Sequence, residues 1–307
     1  MLTFYVDLPD TRIAGAALPS AALAESWQAR MRACFGWRAA RDHSRLQVLT
    51  PLADKKTGPM DRRRTPVAAA AALLVATGIV PAADRPSLTF EATPLSQYVW
   101  RGLVLTNGPV LQTSSTVIYR GAHLNVFTNQ DLNGVNGRRG KGGELAFALG
   151  YDYARKKTTL SAGAIRYTFP NTVAASTTEL YAGVRLAGLL NPSVRGYFDV
   201  ASIRAGYVAA DVSHSVSLPR LAPGMTWEAV LAAGAGCGSA NHNAAYYGVK
   251  RLALADLHPS LSLPFTRGKF RLTPRLGYGM QLDPALRGGR ATKAHGFSGG
   301  VSFALTI

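Results

Sequence analysis

The chain has 307 residues, with 34 Lys plus Arg against 17 Asp plus Glu and a formal charge of +17. The basic residues are spread along the chain with no zinc-finger spacing, RNP motif or basic zipper, so nucleic acid is not expected as a partner. Cys34 and Cys237, without a C-x-x-C, exclude a disulfide scaffold and a thiolate metal site, and no run of about 18 uncharged apolar residues marks a membrane helix.

In chain order, residues 1–59 carry scattered arginines and no apolar periodicity, and read as an N-terminal extension or an early start assignment. Residues 60–82 have the order of a secretory signal peptide. Arg62, Arg63 and Arg64 form the basic region, Val67 to Val80 the apolar region, and Val80 and Ala82 the small residues before a cleavage point at Ala83. The third region, 83–307, retains 23 basic and 11 acidic residues, a net +12.

From there the apolar pattern has period two, the signature of strands. Leu145, Phe147, Leu149, Tyr151 and Tyr153 share one face opposite Glu144 and Asp152. Leu180, Ala182, Val184 and Leu186 oppose Glu179, Tyr181 and Arg185, and Val194, Phe198 and Val200 oppose Arg195, Tyr197 and Asp199. Phe270, Leu272, Leu276, Tyr278 and Met280 oppose Arg271, Thr273 and Arg275.

About twelve such strands are expected, near 88–104, 109–119, 121–130, 142–155, 158–169, 176–187, 192–200, 205–218, 225–236, 257–266, 269–280 and 296–307. Pro94 interrupts the first and calls for a bulge or edge distortion there. Even-numbered connections are tight and the three longest, near 131–141, 237–256 and 281–295, are all odd-numbered. That parity, with Tyr119, Tyr153, Phe169, Trp227, Phe265 and Phe270 near segment ends, suits an all-β, antiparallel, up-and-down transmembrane β-barrel. The chain ends on an alternating strand of the kind that barrel-assembly machinery reads, with Ile307 where an aromatic residue is usual.

The segments SQYVWRG (Ser96–Gly102) and TNGPVLQ (Thr106–Gln112) resemble the opening of the TorF-like porin family, poorly characterised outer-membrane barrels. TELYAGV (Thr178–Val184), NPSVRGYFDV (Asn191–Val200), SHSVSL (Ser213–Leu218) and NHNAAYYGV (Asn241–Val249) continue the likeness over roughly 96–307. Gln97, where an acidic residue is commoner, and Ile307 depart from it. The resemblance implies a barrel with a channel role and no defined substrate.

If the apolar faces meet lipid, Arg101, Arg166, Arg185, Arg195, Arg271, Arg275, Glu144, Asp152, Glu179, Asp199, Asp211 and Glu228 line the lumen. Rings of such charge select ions or small solutes, and the net positive charge leans toward anions. The same charges could instead pair and plug a narrow barrel. The connection holding Asn241, His242, Asn243, Tyr246 and Tyr247 could gate the lumen or bind a partner.

No enzymatic activity, cofactor or metal is expected. The catalytic alternative, a lipid hydrolase built on Ser213-His214-Ser215, has adjacent residues pointing to opposite faces. A closed structural or surface-recognition barrel is a further alternative. The expected location is the bacterial outer membrane, with membrane lipids, lipopolysaccharide, the assembly machinery and small solutes as partners; the oligomeric state stays open.

Overall fold

The computed structural model describes residues 85–136, 139–219, 221–288 and 293–307. The expected extension and signal peptide lie outside the described residues. The strands are β1 (Ser87–Leu95), β2 (Tyr98–Trp100), β3 (Leu103–Thr106), β4 (Val110–Tyr119), β5 (Ala122–Asp131), β6 (Gly142–Arg155), β7 (Thr158–Thr168) and β8 (Thr177–Leu186). They continue as β9 (Ser193–Asp199), β10 (Gly206–Ser217), β11 (Met225–Gly238), β12 (Ala253–Leu257), β13 (Ser260–Ser262), β14 (Phe265–Arg267), β15 (Phe270–Gln281) and β16 (His295–Thr306). Two helices, α1 (Ala240–Tyr247) and α2 (Pro284–Arg287), lie in the connections after β11 and β15.

Each strand pairs antiparallel with its neighbour, and β1 pairs with β16 to close the ring. Strands β12, β13 and β14 occupy a single position between β11 and β15, and β2–β3 form a separate two-stranded sheet, so the closed antiparallel barrel has twelve staves. Closure satisfies the backbone groups of every stave and leaves no edge, the condition for crossing a bilayer with strands.

The side-chain distribution is inside-out. Phe90, Leu124, Leu149, Phe198, Leu231 and Phe303 are exposed on the outer wall, while Asn125, Asn129, Glu144, Glu179 and Asp256 are buried inside. A water-soluble sandwich would reverse this. The two-residue connections Arg120-Gly121 and Lys156-Lys157 turn tightly, with positive φ at Arg120, Gly121 and Lys156 matching the twist of hairpin turns. The long connections gather at the opposite rim, as the parity of the sequence requires.

The structure departs from expectation at three places. The first predicted strand, 88–104, ends at Leu95, and residues 96–108 turn into the lumen as the β2–β3 hairpin. Pro94 causes no bulge: β1 keeps one register with β16 from Thr89–Thr306 to Leu95–Gly300 and simply omits ladder pairs at Thr93 and Pro94. The predicted strand 257–266 is broken into three pieces around Pro259 and Pro264, which lack the N–H that a central strand needs. The connection after β11, expected over 237–256, is shorter and partly helical. Ser239 caps α1 by accepting from the His242 N–H, and Gly248, at φ 76°, ends it.

Exposed aromatics lie toward both ends of the wall, with Phe198 and Phe297 near the long-loop rim. Tyr119, Tyr153, Trp227, Phe265 and Phe270 all lie at the tight-turn end, where Trp227 stacks on Phe265 at 5.1 Å. Phe169 lies at the other end and stacks on Tyr167 at 6.4 Å.

Candidate functional site

The interior of the barrel is the site, and the β2–β3 hairpin is its central object. Its turn is Arg101-Gly102, with φ of 46° and 74°. A side chain on Gly102 would bring its Cβ within 2.5 Å of the Cβ of Asp256, so glycine is needed for the turn and for the close approach to the wall. On the β15–β16 side, Gly279 and Gly296 form niches for the hairpin: a Cβ at either would be 2.6 Å from a methyl of Val99 or Val104.

From that wall Arg101 reaches β8, six staves from β16 and five from β15 in the ring, and so on the opposite side of the lumen. Its Nη1 and Nη2 donate to Oε1 and Oε2 of Glu179, each at 2.9 Å, and the two side chains are 8% and 6% exposed. The guanidinium carbon lies 4.4 Å from the Trp100 ring centre, 4.7 Å from Tyr197 and 4.1 Å from Tyr207. A bidentate carboxylate and three π faces compensate the charge away from water, and each cation–π contact contributes about 0.5–2 kcal/mol. Tyr167 donates its hydroxyl to Glu179 Oε2 at 3.2 Å, and Tyr247 of α1 donates to the Arg101 carbonyl at 2.7 Å. A second strut joins the Tyr98 hydroxyl to Glu144 Oε2 at 2.9 Å.

Around this keystone the long-loop half of the lumen is packed. Leu103, Tyr247, Ala253, Ala255 and Leu286 form a buried cluster with Trp100, Tyr246 and Val249 against it. His242 of α1 is buried, stacked 5.0 Å from Tyr207 and 4.7 Å from Tyr246. Burial first, and then the nearby Arg101 charge, hold its imidazole down at about 4, so it is neutral at neutral pH.

Glycines in one stave let its neighbours touch across it. Gly234 and Gly236 of β11 leave room for His258 to bridge Asp211 at 3.0 Å and Asp256 at 2.9 Å, and for the Tyr207 hydroxyl to donate to Asp256 at 2.9 Å. A Cβ at Gly236 would collide with the Tyr207 hydroxyl. Across Gly163 and Gly150, Tyr181 of β8 reaches His123 of β5 at 2.9 Å.

The residues expected to line the lumen divide as follows. Glu144, Glu179, Asp199, Asp211, Asp152, Glu228, Arg185, Arg195, Arg271 and Arg275 share the inward parity of their strands. Arg101 is inside but sits on the hairpin turn, not on a stave. Arg166 is a correction: it pairs directly opposite Phe147, which is 43% exposed, and so faces outward at the long-loop rim, bonded to Thr178. Asp199 is tied up structurally, accepting from Thr177 and from the N–H groups of Ala201 and Ile203. Arg195 lies 5.2 Å from the Tyr181 ring, and neither it nor Arg185 nor Arg275 is in an ion pair among the described residues.

His214 faces outward near the tight turns, its Nδ1 at 2.7 Å from the Leu189 carbonyl, which anchors a turn. Ser213 and Ser215 face the lumen. Sequence reasoning missed Trp100, Tyr207, Tyr98 and His258. The available signal was aromatic residues at polar parity: Tyr181 and Tyr197 sat in the inward register with Glu179 and Arg195.

No family model and no curated protein matches the chain. Among solved structures, the NanC porin matches at 11% identity with a TM-score of 0.42, covering 71% of this chain and 100% of that one. A bacterial polysaccharide outer-membrane secretin matches at 9% identity and 0.35, covering 72% and 97%. An outer-membrane channel from Pseudomonas putida F1 matches at 11% and 0.34, covering 72% and 94%. At such identities and scores nothing about solute or mechanism transfers. The barrel assignment rests on this chain's own closure and inside-out faces.

Proposed function

We propose that the protein is a narrow, gated diffusion channel of the bacterial outer membrane for small anionic solutes, held shut at rest by the β2–β3 hairpin. The observation that carries this reading is Arg101 locked across the lumen on Glu179, with the arginine-bearing half of the wall beyond it. The one ion pair that ties the hairpin to the far wall is the bond whose release would let the lumen open. The likeness to TorF-like porins and the outer-membrane location belong to this proposal.

Planar-bilayer recording of the refolded protein tests it. Wild-type protein is expected to open rarely, and Arg101→Ala and Glu179→Gln to give frequent discrete steps with reversal potentials favouring anions. Folded, inserted protein that conducts in none of the three forms would sink the channel reading in favour of a closed barrel.

A further inference from the structure

The cage that holds Arg101 is built mainly from the wall. Glu179, Tyr197 and Tyr207 belong to β8, β9 and β10; only Trp100 travels with the hairpin. If the hairpin were withdrawn, a carboxylate with paired oxygens, supported by Tyr167, would remain beside two aromatic faces. That is the receptor geometry for a planar cation with two parallel N–H donors.

A second observation points the same way. Asn243 uses both N–H donors of its amide on the carbonyls of Gly238 and Arg251, so its Oδ1 accepts from His242 Nδ1 at 3.1 Å. The proton of neutral His242 is therefore on Nδ1, and Nε2 is a lone-pair acceptor. That Nε2 is buried and has no hydrogen-bond partner, in a ring that shares Tyr207 with Arg101. An unused buried acceptor is costly and calls for a donor. Arg101, tethered to the hairpin, leaves this nitrogen without a donor.

We infer that Glu179, Tyr197 and Tyr207, beside the unpartnered Nε2 of His242, form a receptor for a guanidinium-bearing solute, and that Arg101 occupies it as a built-in substitute. A soluble guanidinium competes with Arg101, releases the hairpin and opens the lumen. The cation is the opener, whereas anions are the cargo of the arginine-lined half. The opening step rests on the channel reading; the binding step does not.

The probe is N-ethylguanidinium, which comprises the atoms that Arg101→Ala removes, with ethylammonium as the shape control. In calorimetry on folded protein in detergent, Arg101→Ala is expected to bind ethylguanidinium and not ethylammonium. Adding Glu179→Gln should weaken binding roughly 10- to 100-fold, the worth of a charged hydrogen-bonded pair. In bilayers the probe should act with opposite signs, raising open probability in the wild type and lowering it in Arg101→Ala, whose cage it refills.

Should Arg101→Ala not fold, Trp100 emission in the wild type reports release of the hairpin: a red shift with ethylguanidinium alone, absent in Trp100→Phe. Equal binding of both probes, no binding to a folded Arg101→Ala, or a wild type unmoved even far above the concentrations that saturate the variant, as a tethered competitor requires, would each overturn the inference. Binding without any conductance would overturn the channel reading and leave the receptor standing.

Discussion

The two halves of the lumen are built on different plans. At the long-loop end every prominent charge has a partner: Arg101 has Glu179, Glu144 has Tyr98, and Asp256 has Tyr207 and His258. Apolar residues of the hairpin and α1 fill the space between. Toward the tight turns, Arg185, Arg195 and Arg275 stand on the wall without ion pairs among the described residues. The same inward parity thus gives a packed, cross-linked network in one half and a wall bearing unpaired arginines in the other. What separates them is a single hairpin segment, residues 96–108, folded inward after β1.

The sharpest way to break that contrast is at its keystone. Arg101→Ala leaves Glu179 buried without its cation and should cost about 3–5 kcal/mol in urea-induced unfolding, while the double Arg101→Met, Glu179→Met variant should recover most of that loss. Independent, additive losses would show that the pair is not the lock.

Acid should attack the same half. His242, held at about 4 against 6.5 for an ordinary histidine, takes up its proton more readily in the unfolded chain. Its contribution to the folded state is therefore complete above pH 6.5 and lost as pH falls through 4, by roughly 3 kcal/mol at the limit. The groups facing it are Arg101 of the hairpin, Asp256 of β12, Tyr207 of β10, and Tyr246 and Tyr247 of its own helix. His242→Phe should flatten the fall of stability between pH 6.5 and 4 measured by unfolding; an unchanged slope would assign the acid sensitivity elsewhere.

Gly236→Ala places a methyl against the Tyr207 hydroxyl and should cost roughly 1–3 kcal/mol, with Gly188→Ala, where a Cβ meets nothing within 4 Å, as the neutral control. The smallest effect belongs to the open half. In the proposed channel, unlocked by Glu179→Gln, Arg275→Gln should lower the anion-to-cation permeability ratio roughly twofold, and Arg166→Gln, on the outer face, should leave it unchanged. A shift with Arg166→Gln would mean that the parity of β7 has been misread.

These regions also differ in how well the sequence announced them. Strands β8, β9 and β15, and β6 from Glu144 to Tyr153, alternate clearly, so their inward faces follow from pattern alone. Strand β7 does not: Ile165 is buried inside while Arg166 faces out, and small residues at Ser161, Ala162, Gly163 and Ala164 give neither face a hydrophobic identity. Polarity therefore pointed Arg166 the wrong way. The hairpin was hidden for another reason. Tyr98-Val99-Trp100 is strand-like and does form a strand, but only a contact six staves away decides that it leaves the wall. Three-dimensional proximity of that range has no local signature. The cage was half-legible, since Tyr197 shares parity with Arg195 and Asp199, a placement a lipid-facing aromatic would not take.

The interrupted stave between β11 and β15 has a consequence for how the wall breathes. Pro259 and Pro264 divide its ladder into blocks of five, three and three residues, each too short to hold its partners alone. Amide exchange should enter here ahead of the rest of the wall, at Ser260–Ser262 and Phe265–Arg267, while the eleven paired positions of β15 and β16 stay protected. The barrel therefore carries a built-in seam, a vertical line along which a closed ring can loosen without opening anywhere else.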